Sequence, residues 1–152
     1  MDASALEYQL RLTAQRILDC LKDLSPHEMV ARPQGLAPIL WQLGHLSLSD
    51  IGLARRAGMD LAIPDGYEAL FARGTTGDGP YPPHTEVVRF FEAAQNALLE
   101  LARGDLNRPA ASPIGAYQTV AGGLSYNLYH RGYHHGKMMT LRALLGKPRL
   151  LG

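Results

Sequence analysis

Three of the six histidines in this 152-residue chain stand where they could share chemistry. His130 and His134 form His-x-x-x-His within "LYHRGYHHGKMMTLRALLG", a stretch rich in residues that favour a helix. Four residues of α-helix turn through about 400°, so the two imidazoles stand one turn apart on nearly the same face. Both can therefore reach one ion, and imidazole suits zinc, nickel, copper or iron. A third imidazole from a facing helix, His45, would complete a three-histidine set with open positions, the arrangement of a catalytic rather than a structural metal. His45 lies on the apolar face of "PILWQLGHLSLSD" with Trp41 one turn before it, and Tyr126 lies one turn before His130. Both aromatics are candidates to line a pocket at the metal. All three histidines fall on inward stripes, where a bare polar group costs free energy and a shared ion would satisfy all three.

The other candidates read differently. His27 and His84 fall in a short turn and a proline-rich loop, which are surface positions. His135 is rotated about 100° from His134 and cannot easily share an ion with the pair. Asp50 follows His45 by five residues, about 140° round the helix, a poor position for a ligand. Arg131 and Tyr133 flank the pair and could meet an anionic group, although Arg131 reads as a surface residue. No carboxylate shares the face of His130 and His134, so no dedicated general base is evident. Cys20, the single cysteine, reads as a small core residue rather than a nucleophile.

Four long helical segments must position these groups. The first runs from about Ser4 to Leu24, with Ser4 and Glu7 at capping-box spacing and Leu6, Leu10, Ile17, Leu21 and Leu24 inward. Ser25, Pro26 and Glu28 then predict one short turn, stopped by Pro33 and Gly35. The second helix opens at Pro38 and reaches Arg56 or Ala57, with Gly58 beyond its end. Residues 59–83 hold too many prolines and glycines for a long element, although "GYEALFARG" allows a turn or two. A connection of that length belongs where it crosses over the bundle or lines a site. Thr85 should cap the third helix, which ends at Gly104 and buries Val87, Phe91, Ala94, Leu98 and Leu101. The fourth runs from Thr119 to Leu145, with Asn127, His130, His134, Met138, Leu141 and Leu145 inward and Gly122 and Gly123 permitting a close approach. No strand is expected. The fold predicted is all-α, a four-helix bundle with one long crossover between helices 2 and 3, in a single domain over residues 1–152.

Composition narrows the function. A net charge of +1 without a Lys/Arg cluster argues against nucleic acid as a partner. No apolar run approaches the roughly 18 residues of a membrane span. The N-terminus "MDASALEYQL" lacks a signal-peptide core, and a lone cysteine suits a cytoplasmic protein.

With "ILWQLGHLSLSD" followed much later by "YHRGYHHGKMMTLRALLGKP", the chain resembles the DinB-like metal-binding four-helix bundles over nearly its whole length. Their pattern puts a ligand histidine in the second helix and a His-x-x-x-His followed by glycine in the fourth. Matched position by position, the resemblance implies His45, His130 and His134 as ligands of a divalent transition metal such as Zn, Ni or Fe. Where that family usually has glutamine after the glycine, this chain has Lys137, a position read as peripheral. The stretch "SPHEMVARPQGLAPILWQLGH" is also similar to the amino-terminal domain of ergothioneine-type sulfoxide synthases, which share the bundle and an iron-binding histidine trio; the catalytic domain that follows there is absent from this sequence.

The resemblance implies either hydrolysis of a small substrate, or transfer or isomerisation involving a small-molecule thiol such as bacillithiol, mycothiol or glutathione, and it implies a homodimer. The sequence leaves three readings open. One is a small metal-dependent enzyme of the thiol S-transferase or hydrolase type. The second is a metal-dependent stress-response or sensing protein without turnover, and the third a bundle whose histidines merely pack.

Overall fold

The computed structural model describes residues 2–115 and 117–150. Four long helices dominate: α1 (Ala3–Asp19), α3 (Ile39–Arg56), α5 (His84–Arg103) and α6 (Val120–Leu144). Two short ones, α2 (Pro26–Met29) and α4 (Tyr67–Phe71), sit in the connections. The helix ends follow the cap chemistry in most places. Ser25 and Glu28 close a reciprocal capping box on α2. Thr119 accepts from the Gly122 amide to start α6. Gly58, with φ of +97°, lets the chain turn away after α3.

Two expected caps are corrected. Asp2, not Ser4, caps α1: its carboxylate accepts from the Ala5 amide and from the Ser4 hydroxyl. Glu7 is thereby free to pair with Arg11 and, across the bundle, with Arg103 at 2.6 Å. Thr85 does not cap α5, which begins one residue earlier behind Pro83. His84 therefore opens a helix rather than ending a loop.

The core forms two layers along the bundle. One joins Ala14, Ile17 and Leu21 to Ile39–Ile51, Val87–Ala94, Met138 and Leu141. The other joins Leu6 and Leu10 to Leu53–Ala57, Ala97–Ala102, Val120 and Leu124. The first halves of α3 and α5 thus share one layer and their second halves the other, so these two helices run parallel. α1 and α6 run the opposite way. Parallel neighbours need a long return, and residues 59–83 supply it. The chain packs this crossover rather than leaving it loose. Phe71 of α4 is fully buried against α3, where a Cβ on Gly44 would lie 2.3 Å from its ring. Burying that ring contributes roughly 1.5–3 kcal/mol. Gly123 allows a comparable approach, with Leu53 2.4 Å from where its Cβ would be.

A small antiparallel hairpin departs from the expectation of no strand. β1 (Pro109–Ile114) pairs with β2 (Tyr117–Thr119), with Pro109 opposite Thr119 and Ile114 opposite Tyr117. Its sequence, "PAASPI", lacks alternation and carries two prolines, so nothing in its pattern signals a strand. Backbone pairing and the Arg56 guanidinium, which donates to the Ser112 carbonyl at 3.2 Å, hold it in place. No helix among the described residues is long and apolar enough to cross a membrane.

Candidate metal centre

The first half of α3 is buried almost all round, from Ile39 to Ser47. The crossover covers it on one side and α6 on another. His45 is held between them, 8% exposed, with the Trp41 indole stacked on its ring at 4.8 Å and 6° between planes. Trp41 is itself fixed, its Nε1–H donating to the Leu70 carbonyl at 3.0 Å and to the Thr75 hydroxyl at 2.8 Å. His45 Nδ1 lies 2.9 Å from the Phe71 carbonyl oxygen. A carbonyl can only accept, so Nδ1 carries the proton and Nε2 is left bare.

α6 brings the other two rings. His134 is 4% exposed, and its Nδ1 lies 2.6 Å from Oε1 of Gln42 on α3. The Gln42 amide nitrogen faces the Ala37 carbonyl at 3.4 Å, which turns its oxygen toward the imidazole. His134 therefore also donates through Nδ1 and presents Nε2. His130 sits half-buried one turn earlier on α6, with the Tyr126 ring stacked over it at 6.3 Å. The three ring centroids are 4.5–5.3 Å apart. One nitrogen from each of His45, His130 and His134 lies within 4.8 Å of the others, a cluster able to hold a metal ion.

The donor set fits a divalent transition metal. Imidazole binds in its neutral form, and two of the three rings have the second nitrogen tied to an acceptor, as ligand histidines characteristically do. Burial pushes all three pKa values below the ordinary imidazole range. For His134, burial and then the neighbouring His130 and His45 bring it down to about 3. The rings are thus neutral at physiological pH. The donors would suit zinc, nickel or iron alike.

The cluster opens into a cleft of about 500 Å³. Trp41, His45 and His134 make its buried floor, and exposed Tyr126, Tyr129 and Tyr133 of α6 make its rim. Tyr117 of the hairpin closes one end, its ring edge-on to Tyr126 at 5.0 Å. Both aromatics expected at the pocket, Trp41 and Tyr126, line this cleft. Arg73 and Lys137 line it as well, so Lys137 is not peripheral.

Arg131 is the principal correction. It is not at the surface but fully buried, outside the lining of the cleft, and paired to Asp50 of α3 at 2.5 Å. Its guanidinium also donates to Gln95 at 2.6 Å and to the Leu10 carbonyl at 3.1 Å, and lies over the Phe91 ring at 5.3 Å. Asn127 donates to the other Asp50 oxygen. One buried network therefore ties α1, α3, α5 and α6 together a single residue from His130. A signal for it was present. Asp50 follows Leu43 and Leu46 at steps of seven and four on an inward stripe, and Arg131 follows Leu124 and Asn127 likewise. Opposite charges on two apolar stripes imply a buried pair. Gln42 carried no comparable signal, because only the folded helix pair brings it to His134.

Two comparisons bear on these residues. A family model described as the DinB superfamily matches residues 9–138, a span that includes His45, His130 and His134. No curated protein matches the chain.

Proposed function

The chain belongs to the DinB superfamily, and on that premise we propose that His45, His130 and His134 hold one divalent transition metal in an enzyme of the thiol S-transferase type. The observation that carries this reading is the convergence of three neutral, partly oriented imidazoles at the floor of an open cleft. Such a cleft has the size of a small-molecule site. A bound divalent ion would lower the pKa of a coordinating thiol or water.

The chain's own residues favour the thiol over hydrolysis. Among the described residues the cleft wall holds phenols, imidazoles, Ser49, Trp41 and two cations, and no carboxylate to take a proton from water. A thiol needs less help, because its proton is lost closer to neutral pH. Trp41 and Gln42 fix the rings of His45 and His134, so the donors are set before substrate arrives. The tyrosine rim shields the reacting group from bulk water on the α6 side.

Monochlorobimane tests the reading. Metal-loaded protein with a small thiol should form the thioether and release chloride and a proton faster than the His130→Ala variant. Equal rates from the two proteins would leave a metal-binding protein without this activity.

A further inference from the structure

Arg73 and Lys137 are the two cations of the cleft wall, and the proposed thiol chemistry gives neither a role. They arrive from different elements. Arg73 follows α4 directly, two residues after the Phe71 carbonyl that holds His45. Lys137 stands three residues beyond His134 and seven beyond His130, on the same side of α6. Both are exposed, and among the described residues neither has an ion-pair partner; the Lys137 ammonium lies over the Tyr133 ring at 4.6 Å. A cleft with two unpaired cations, no carboxylate and a divalent ion at its floor has a strongly positive field that favours an anionic ligand.

We propose that Arg73 and Lys137 form an anion-recognition subsite, so that the substrate is a small molecule carrying a carboxylate or similar anionic group beside the atom it presents to the three histidines. This rests on the metal-centre reading above and adds the substrate's charge to it. The tyrosine rim of the same cleft then packs against the uncharged part of the molecule.

Cobalt-substituted protein tests this through its visible spectrum, without turnover. It is titrated with 3-mercaptopropionate, with uncharged 2-mercaptoethanol and with cationic cysteamine. The anionic thiol should bind about tenfold tighter than the neutral one, as two partly exposed charge pairs allow, and the cationic thiol weakest. The preference should shrink as salt is raised. It should fall at least threefold in the double variant Arg73→Gln, Lys137→Gln, which changes only exposed side chains and keeps the cobalt with its own share of the field. Equal affinity for the three thiols, or a preference that the double substitution leaves undiminished, overturns the subsite and leaves the metal centre standing. A wild-type protein that takes up no cobalt overturns the metal centre, and the subsite with it.

Discussion

Replacing Asp50 by alanine should strand the Arg131 guanidinium, which is 0% exposed and loses the one carboxylate that pairs with it among the described residues. Removing one partner of a buried ion pair costs about 3–5 kcal/mol, because the remaining charge stays desolvated. Arg131 keeps Gln95 and the Leu10 carbonyl, which places the loss toward the lower end. Asn127 also loses its acceptor, and an unsatisfied buried donor adds about 1–3 kcal/mol. The expected total is roughly 4 kcal/mol, a large fraction of the 5–15 kcal/mol of a typical domain. Urea unfolding followed by circular dichroism should show a lowered midpoint with an unchanged slope. A thermal scan should show a fall of roughly 8–16 °C. The double variant Asp50→Ala, Arg131→Met removes the stranded charge and should recover at least half of the loss. A single-variant loss below about 1 kcal/mol, or no recovery in the double variant, would refute the reasoning that this pair locks α6 against α3.

Three further outcomes follow from the same geometry. Gln42→Leu removes the acceptor of the His134 Nδ1–H, and metal affinity measured by chelator competition should fall about 10- to 100-fold, with Gln42→Glu retaining it; equal affinities in all three proteins would contradict that role. The metal-free protein should lose stability as pH falls. Burial holds the folded-state pKa of His134 near 3, so between the ordinary 6.5 and that value only the unfolded chain takes the proton. Stability is therefore unaffected by this group above about pH 6.5 and declines below it, by up to about 1.4 kcal/mol per pH unit; a His134→Phe variant with an equally steep decline would argue against the assignment. Cys20 is fully buried with its thiol pushed up to about 11, so Ellman's reagent should leave it untouched in the native protein at pH 8 and modify it in urea.

The sequence was most informative where a period repeats. Leu6, Leu10 and Ile17, or Val87, Phe91, Ala94 and Leu98, announce an inward stripe several times over, and each of them is buried. The same logic brought His45, His130 and His134 to one place, since imidazoles spaced by a helical turn and set on inward faces converge once the bundle closes. Features carried by a single residue or by the backbone were harder to read. The hairpin at Pro109–Thr119 exists through backbone pairing that its side chains do not encode. Ser4 lost to Asp2 as the α1 cap because both occupy capping positions and spacing alone does not choose between them. Arg131 was misplaced because a lone arginine is normally solvated; its burial is intelligible only beside Asp50, eighty-one residues away. Gln42 and the Phe71 carbonyl, which orient two of the three imidazoles, depend on how the crossover and α6 pack on α3.

Metal content tests the central claim most directly. Wild-type protein purified without an affinity metal column should carry, or take up to saturation, one divalent transition-metal ion per chain by elemental analysis. The triple variant His45→Ala, His130→Ala, His134→Ala should carry none while keeping its helical circular dichroism. An unchanged metal content in that variant, or no metal retained by the wild type under saturating zinc, nickel or iron, would contradict the account.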